Sequence, residues 1–147
     1  MREILFRGKR KDNNEWVQGH NVFYMQGNDN VFITQTGLPV PTLGDNSSVV
    51  VMMHPSTEVW IDTVGQFTGL TDKNGKKIFD GDIVRHWNGS QDLFDTGRVY
   101  WDDVFCGWRR TTDGVFHSQI VSTYKLSANC DYEVIGNIHD NPELLEG

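Results

Sequence analysis

The sequence predicts a mainly β protein: an additional antiparallel β unit in the N-terminal half, residues 1–65, and an SH3-like small barrel in the C-terminal half, residues 66–147. Three observations carry this. Gly and Asn punctuate the 147 residues so often that only short elements fit between them. Those elements are rich in β-branched and aromatic residues, and the five Trp and eight Phe supply burial that short strands otherwise lack. Finally, Thr68–Arg85 sets two turn signals ahead of an apolar strand. Asp72-Lys-Asn-Gly75 is the first and Asp80-Gly-Asp82 the second, because Asn and Gly tolerate positive φ, and Ile83-Val84 then launches the strand.

In order from the N-terminus, residues 2–7 suit a strand, and the turn formers and charges of Gly8–Asn14 follow. Glu15-Trp-Val17 opens the returning strand, which passes a bulge at Gly19 and continues through Asn21–Met25. Gly27–Asn30 turns the chain into Val31–Thr34. Residues 36–48 hold two Pro and two Gly and read as a surface loop, either a flap or a segment ordered by another subunit. Val49–Met53 is an apolar run suited to a strand buried on both faces or at an interface. Glu58–Ile61 makes a strand with Val59 and Ile61 on one face.

Beyond the central stretch, Ile83–Trp87 ends in a turn at Asn88-Gly-Ser90. A strand centred on Gly97–Trp101 pairs with Val104–Arg110 across Asp102-Asp103, and Asp113-Gly114 is a further turn. Residues 115–129 fit one helical turn or two short strands equally well. Tyr132–Ile138 is the last strand. Asn141-Pro-Glu143 then supplies a cap candidate, Pro at the first helical position and an acid in the first turn, so a short helical turn closes the chain.

Charge and composition bound the function. A net charge of −7 argues against a surface that is cationic throughout. The ends differ: residues 1–16 hold five basic residues against three acids, and residues 127–147 hold five acids and no Lys or Arg. Attraction between such ends operates within a chain or between subunits. No apolar run reaches the ~20 residues of a membrane helix, and no secretory core opens the chain, so a cytoplasmic protein without membrane association is expected. Cys106 and Cys130 are isolated and read as reduced packing residues.

Chemical motifs are sparse. His20, His54, His86, His117 and His139 show no ligand spacing, so no metal and no cofactor is expected. Asp72-Lys-Asn-Gly75 departs from a calcium loop in the place of its Gly and lacks the closing Glu. Asp72, Asp80 and Asp82 therefore read as turn residues. Arg109 and Arg110 lie near Cys106, yet nothing identifies a base beside it, and no phosphate or dinucleotide loop occurs. No catalytic residue is assigned. The candidate binding surface is Arg85, Trp87, Arg98, Tyr100, Trp108, Arg109 and Arg110, a set able to stack bases and contact phosphates. Its plain alternative is a core in which Trp87 and Tyr100 have charged neighbours.

Three blocks carry a family resemblance: Met1–Arg10 with Glu15-Trp-Val-Gln-Gly19, Phe67–Val84, and Tyr132–Leu145. In that order they resemble the YopX family of bacteriophage and prophage proteins. The resemblance implies a mainly β protein with an SH3-like barrel that acts in the bacterial host cytoplasm, and it transfers no catalytic residue. Residues 20–66 and 88–130 lie between the blocks.

These readings lead to a non-enzymatic accessory protein that binds a host or phage macromolecule, as a homo-oligomer. The first alternative is a nucleic-acid-binding module using the Arg/aromatic surface. A metal-dependent hydrolase is the second.

Overall fold

A computed structural model describes residues 3–25, 30–35, 55–87, 94–111, 123–125 and 131–146. The fold is mainly β: among the described residues there are eleven strands, two 3-10 turns and no α-helix. The chain forms two compact units, Glu3–Gln66 and Phe67–Gly147.

In the N-terminal unit, β1 (Phe6–Lys9), β2 (Trp16–Tyr24), β3 (Val31–Gln35) and β4 (Ser56–Val59) form antiparallel ladders in sequence. The register of β2 against β3 slips between Gly19 and Asn21, where the sequence places a bulge. Glycine is required there, because a Cβ on Gly19 would sit 1.8 Å from the Thr34 carbonyl oxygen. Val31, Ile33 and Val59 are fully buried and Val17, Val22 and Val64 pack on them. Each such side chain contributes about 2 kcal/mol relative to exposure.

The sheet curls until β4 meets the chain just past β1. Arg10 bridges Val59, the Trp60 N–H donates to the Lys9 carbonyl at 2.9 Å, and the Lys11 N–H donates to that of Glu58 at 3.1 Å. The basic run Lys9-Arg10-Lys11 is therefore built into this seam, with Arg10 on Asp12 and Lys11 on Glu58. Past β4 the chain turns instead of extending. Ile61–Thr63 is a 3-10 turn, fixed by the Thr63 hydroxyl donating to the Trp60 carbonyl at 2.7 Å, and Ile61 is exposed rather than inward beside Val59.

β5 (Gly65–Thr71) pairs with β1 through Gly65 and Gln66 and with β6 (Lys77–Phe79) from Phe67 onward. In the C-terminal unit β7 (Asp82–Trp87), β8 (Phe94–Asp102), β9 (Gly107–Thr111), β10 (Thr123–Lys125) and β11 (Tyr132–Asn137) form a sheet of order β10-β9-β8-β7-β11. Ile78, Val84, Val99, Tyr132 and Val134 are its core, with Leu70 and Trp108 packed on them. The turns are as the sequence requires: Gly75 and Gly81 lie at φ +81 and +80, and the buried Asp82 carboxylate accepts the Phe79 N–H at 2.8 Å.

The expected closed barrel is not formed. Among the described residues no ladder joins β10 to β11, so the sheet is open. The reason is visible at β11, whose outward backbone groups are taken by the 72–76 turn instead of a strand: the Val134 N–H donates to Asp72 Oδ2 at 3.1 Å and Lys73 N–H donates to the Tyr132 carbonyl at 2.8 Å. The closing turn exists as 3-10 turn Pro142–Leu145, but the Asn141 side chain makes no capping hydrogen bond.

The 36–48 loop, the Val49–Met53 run, the Asn88–Ser90 and Asp113-Gly114 turns, Cys130 and all of 115–129 except β10 lie outside the described residues.

Candidate functional site

Strand alternation and register decide which side chains share a face. In an antiparallel ladder, directly opposed residues lie on the same side of the sheet. Arg85 opposes Thr96 and Glu133, Trp87 opposes Phe94, Ile83 opposes Arg98, and Tyr100 opposes Arg109. The other face carries Val84, Val99, Tyr132 and Val134, and with them Trp108 and Arg110, since Val99 opposes Arg110.

The seven residues singled out in the sequence therefore do not make one surface. Trp108 packs against the core, its ring edge-on to Trp101 at 5.3 Å and its Nε1 buried without a hydrogen-bond partner. Arg110 is only 4% exposed; it donates to Asp95 at 2.8 Å and lies 5.7 Å from the centre of the Tyr132 ring. Trp108 is thus partly buried and Arg110 fully buried on the core side of the sheet. Arg98, Tyr100 and Arg109 are on the outer face towards the β8–β9 turn, where Arg109 lies over Phe105 at 4.4 Å and 3.6 Å from Asp102. Arg85 and Trp87 are at the opposite end of that face. Ile83, between these two groups, is fully buried.

At the Arg85 end is a groove of about 440 Å³ lined by Lys73, Arg85, Trp87, Phe94, Asp131 and Glu133. Trp87 and Phe94 are each 51% exposed and form apolar walls. The Arg85 guanidinium stacks on Phe94 at 4.8 Å and donates to Glu133 Oε2 at 2.8 Å, while Lys73 Nζ approaches the same oxygen at 3.1 Å. Those two cations, Arg85 first and Lys73 second, hold the Glu133 carboxyl below its ordinary pKa against the opposing effect of burial. Arg85 Nε is buried without a hydrogen-bond partner.

Phe94, Lys73, Asp131 and Glu133 are the groove residues that the sequence reading missed. Phe94 was within reach, because it lies four residues before Arg98 and so shares its face. Lys73 and Glu133 arrive by long-range pairing. Among the described residues, no group of three or more His, Cys, Asp and Glu side chains is arranged to hold a metal ion. No helix of the described residues is long and apolar enough to cross a membrane.

Fold and groove together define an all-β protein with an open sheet and an Arg/aromatic recess at one end of its outer face. The chain belongs to the YopX family, whose YopX protein model matches residues 5–146. The crystal structure of protein EF1440 from Enterococcus faecalis is similar, with 25% identity over 97% of each chain and a TM-score of 0.49. No curated protein matches the chain.

Proposed function

We propose that this YopX-family chain is a non-enzymatic phage or prophage accessory protein of the bacterial cytoplasm, which binds a host or phage protein through the Trp87–Phe94 groove and works as an oligomer. One observation carries the reading: two half-exposed aromatic rings, Trp87 and Phe94, line a concave recess in which Arg85 stacks on Phe94. Trp and Arg in such recesses are the side chains that dominate protein interfaces. The oligomer is supported by the apolar Val49–Met53 run and the opposite charge of the termini.

Nucleic-acid binding is the second reading, carried by Arg98, which is exposed and takes no side-chain partner among the described residues. Against it, Arg85, Arg109 and Arg110 each face a carboxylate, which a phosphate would have to displace. Affinity capture from induced cells, with nuclease treatment, tests the proposal. A protein retained by the wild type and lost with Trp87→Ala supports it; a nuclease-sensitive catch, with a salt-dependent mobility shift, supports the second reading instead.

A further inference from the structure

We infer that the segment which the groove takes from its protein partner is a proline-rich stretch in the polyproline II form, carrying a lysine or arginine. This rests on the groove being the binding site proposed above. The groove's charges are unevenly engaged. Arg85 and Lys73 share one carboxylate, that of Glu133, so neither is open to an incoming acid. Asp131 also lines the groove; it is exposed and takes no hydrogen bond or ion pair among the described residues. The charged group left open to a partner is therefore a carboxylate, and its complement is a cation.

The backbone decides the form of the segment. β11 is the outermost strand on this side, and its Val134 N–H and Tyr132 carbonyl are held by Asp72 and Lys73. A docking segment cannot add a strand through those groups, so it binds through side chains. Polyproline II needs no backbone partner, and proline arrives with its φ fixed, so little freedom is lost on docking. Trp87 and Phe94 supply the surface, since aromatic-lined grooves take proline rings. The two are directly opposed on β7 and β8, and one step beyond the Tyr132–His86 pair the register brings Asp131 opposite Trp87. Asp131, Trp87 and Phe94 thus form a row across the sheet. It spans roughly 10 Å, two inter-strand spacings, which is the length of about three polyproline II residues.

Selection of a displayed library of random dodecapeptides on the full chain, with Trp87→Ala as counter-selection, tests this. Enriched peptides are expected to carry proline with a lysine or arginine about three residues away. One of them, synthesised and labelled, is then titrated by fluorescence anisotropy. Asp131→Lys, at an exposed position, is expected to weaken its binding about tenfold or more by setting cation against cation. Added salt should weaken binding to the wild type and not to that variant. An acidic or uncharged consensus, one without proline, no Trp87-dependent enrichment, or an Asp131→Lys variant that binds as the wild type does overturns the inference. If it falls while a protein is still captured from cells in a Trp87-dependent manner, the proposed function stands without it. Capture that ignores Trp87→Ala removes both.

Discussion

Asp72 and Val134 are 62 residues apart in sequence and joined by one hydrogen bond, in which the Val134 N–H donates to Asp72 Oδ2 at 3.1 Å. The other carboxylate oxygen accepts the N–H groups of Asn74 and Lys76, at 2.8 and 2.9 Å. One buried side chain thus closes its own turn and caps the edge of the last strand. That edge forms one wall of the groove, through Glu133.

Asp72→Asn should therefore destabilise the C-terminal unit by about 2–3 kcal/mol, the range of hydrogen bonds to charged acceptors. One amide oxygen can still serve Asn74 and Lys76, but the amide nitrogen would confront the Val134 N–H, donor against donor. Urea unfolding followed by tryptophan fluorescence measures the loss.

Acid should reveal the same group. Burial acts to raise the Asp72 pKa, but the hydrogen bonds from Val134, Lys76 and Asn74 and the Lys76 charge outweigh it, leaving the carboxyl below its ordinary value. A lowered folded pKa means that the stabilisation is complete above the unfolded carboxyl pKa of about 4 and is lost as pH falls from there through the folded value. Wild-type stability should drop on that acid limb, and the gap between wild type and Asp72→Asn should narrow in parallel. Thermal melts across the pH range provide the check.

Two glycines should respond differently to alanine. At Gly19 a Cβ strikes the Thr34 backbone at 1.8 Å, so Gly19→Ala should cost about 3 kcal/mol or more through overpacking against backbone. At Gly75 nothing lies within 4 Å of the added Cβ, and only the φ of +81 opposes it, so Gly75→Ala should cost about 1–2 kcal/mol. Chemical denaturation of both variants measures the contrast.

Arg110 is expected to behave as a structural residue. Arg110→Ala should destabilise the chain by about 3 kcal/mol, because it leaves the partly buried Asp95 without this ion pair, and Arg110→Met should cost less. Neither should change partner capture once folding is matched. Trp87→Ala should do the reverse, with stability within about 0.5 kcal/mol and capture reduced about 30-fold or more. Calorimetry and quantitative capture on the same preparations separate the two behaviours.

Particular residues show how far the sequence could be read. Gly75, Gly81 and the bulge at Gly19 were legible because turn and bulge chemistry is local. The shared face of Arg85 and Trp87, and that of Arg98 and Tyr100, follows from the two-residue alternation of a strand. Alternation does not say which face meets the core, and that decision sends Arg110 inward: Val99 opposes it from β8, while Tyr132, arriving from β11, covers it. The groove was illegible for the same reason. Glu133 meets Arg85 across 48 residues, through a ladder that no short stretch specifies. The barrel expected from the turn-spaced strands does not close, because backbone groups on the outer edge of β11 bond to the 72–76 turn.

On the proposed function, Trp87 and Phe94 are covered when the protein engages its partner. Oxidative footprinting reads those side chains directly, with and without the captured partner. Exclusion of water from the interface centre should lower oxidation of Trp87 and Phe94 by about fivefold or more, while Trp60 and Tyr24 in the N-terminal unit react as in the free chain. Trp87 and Phe94 oxidised at the free rate in the complex would contradict it.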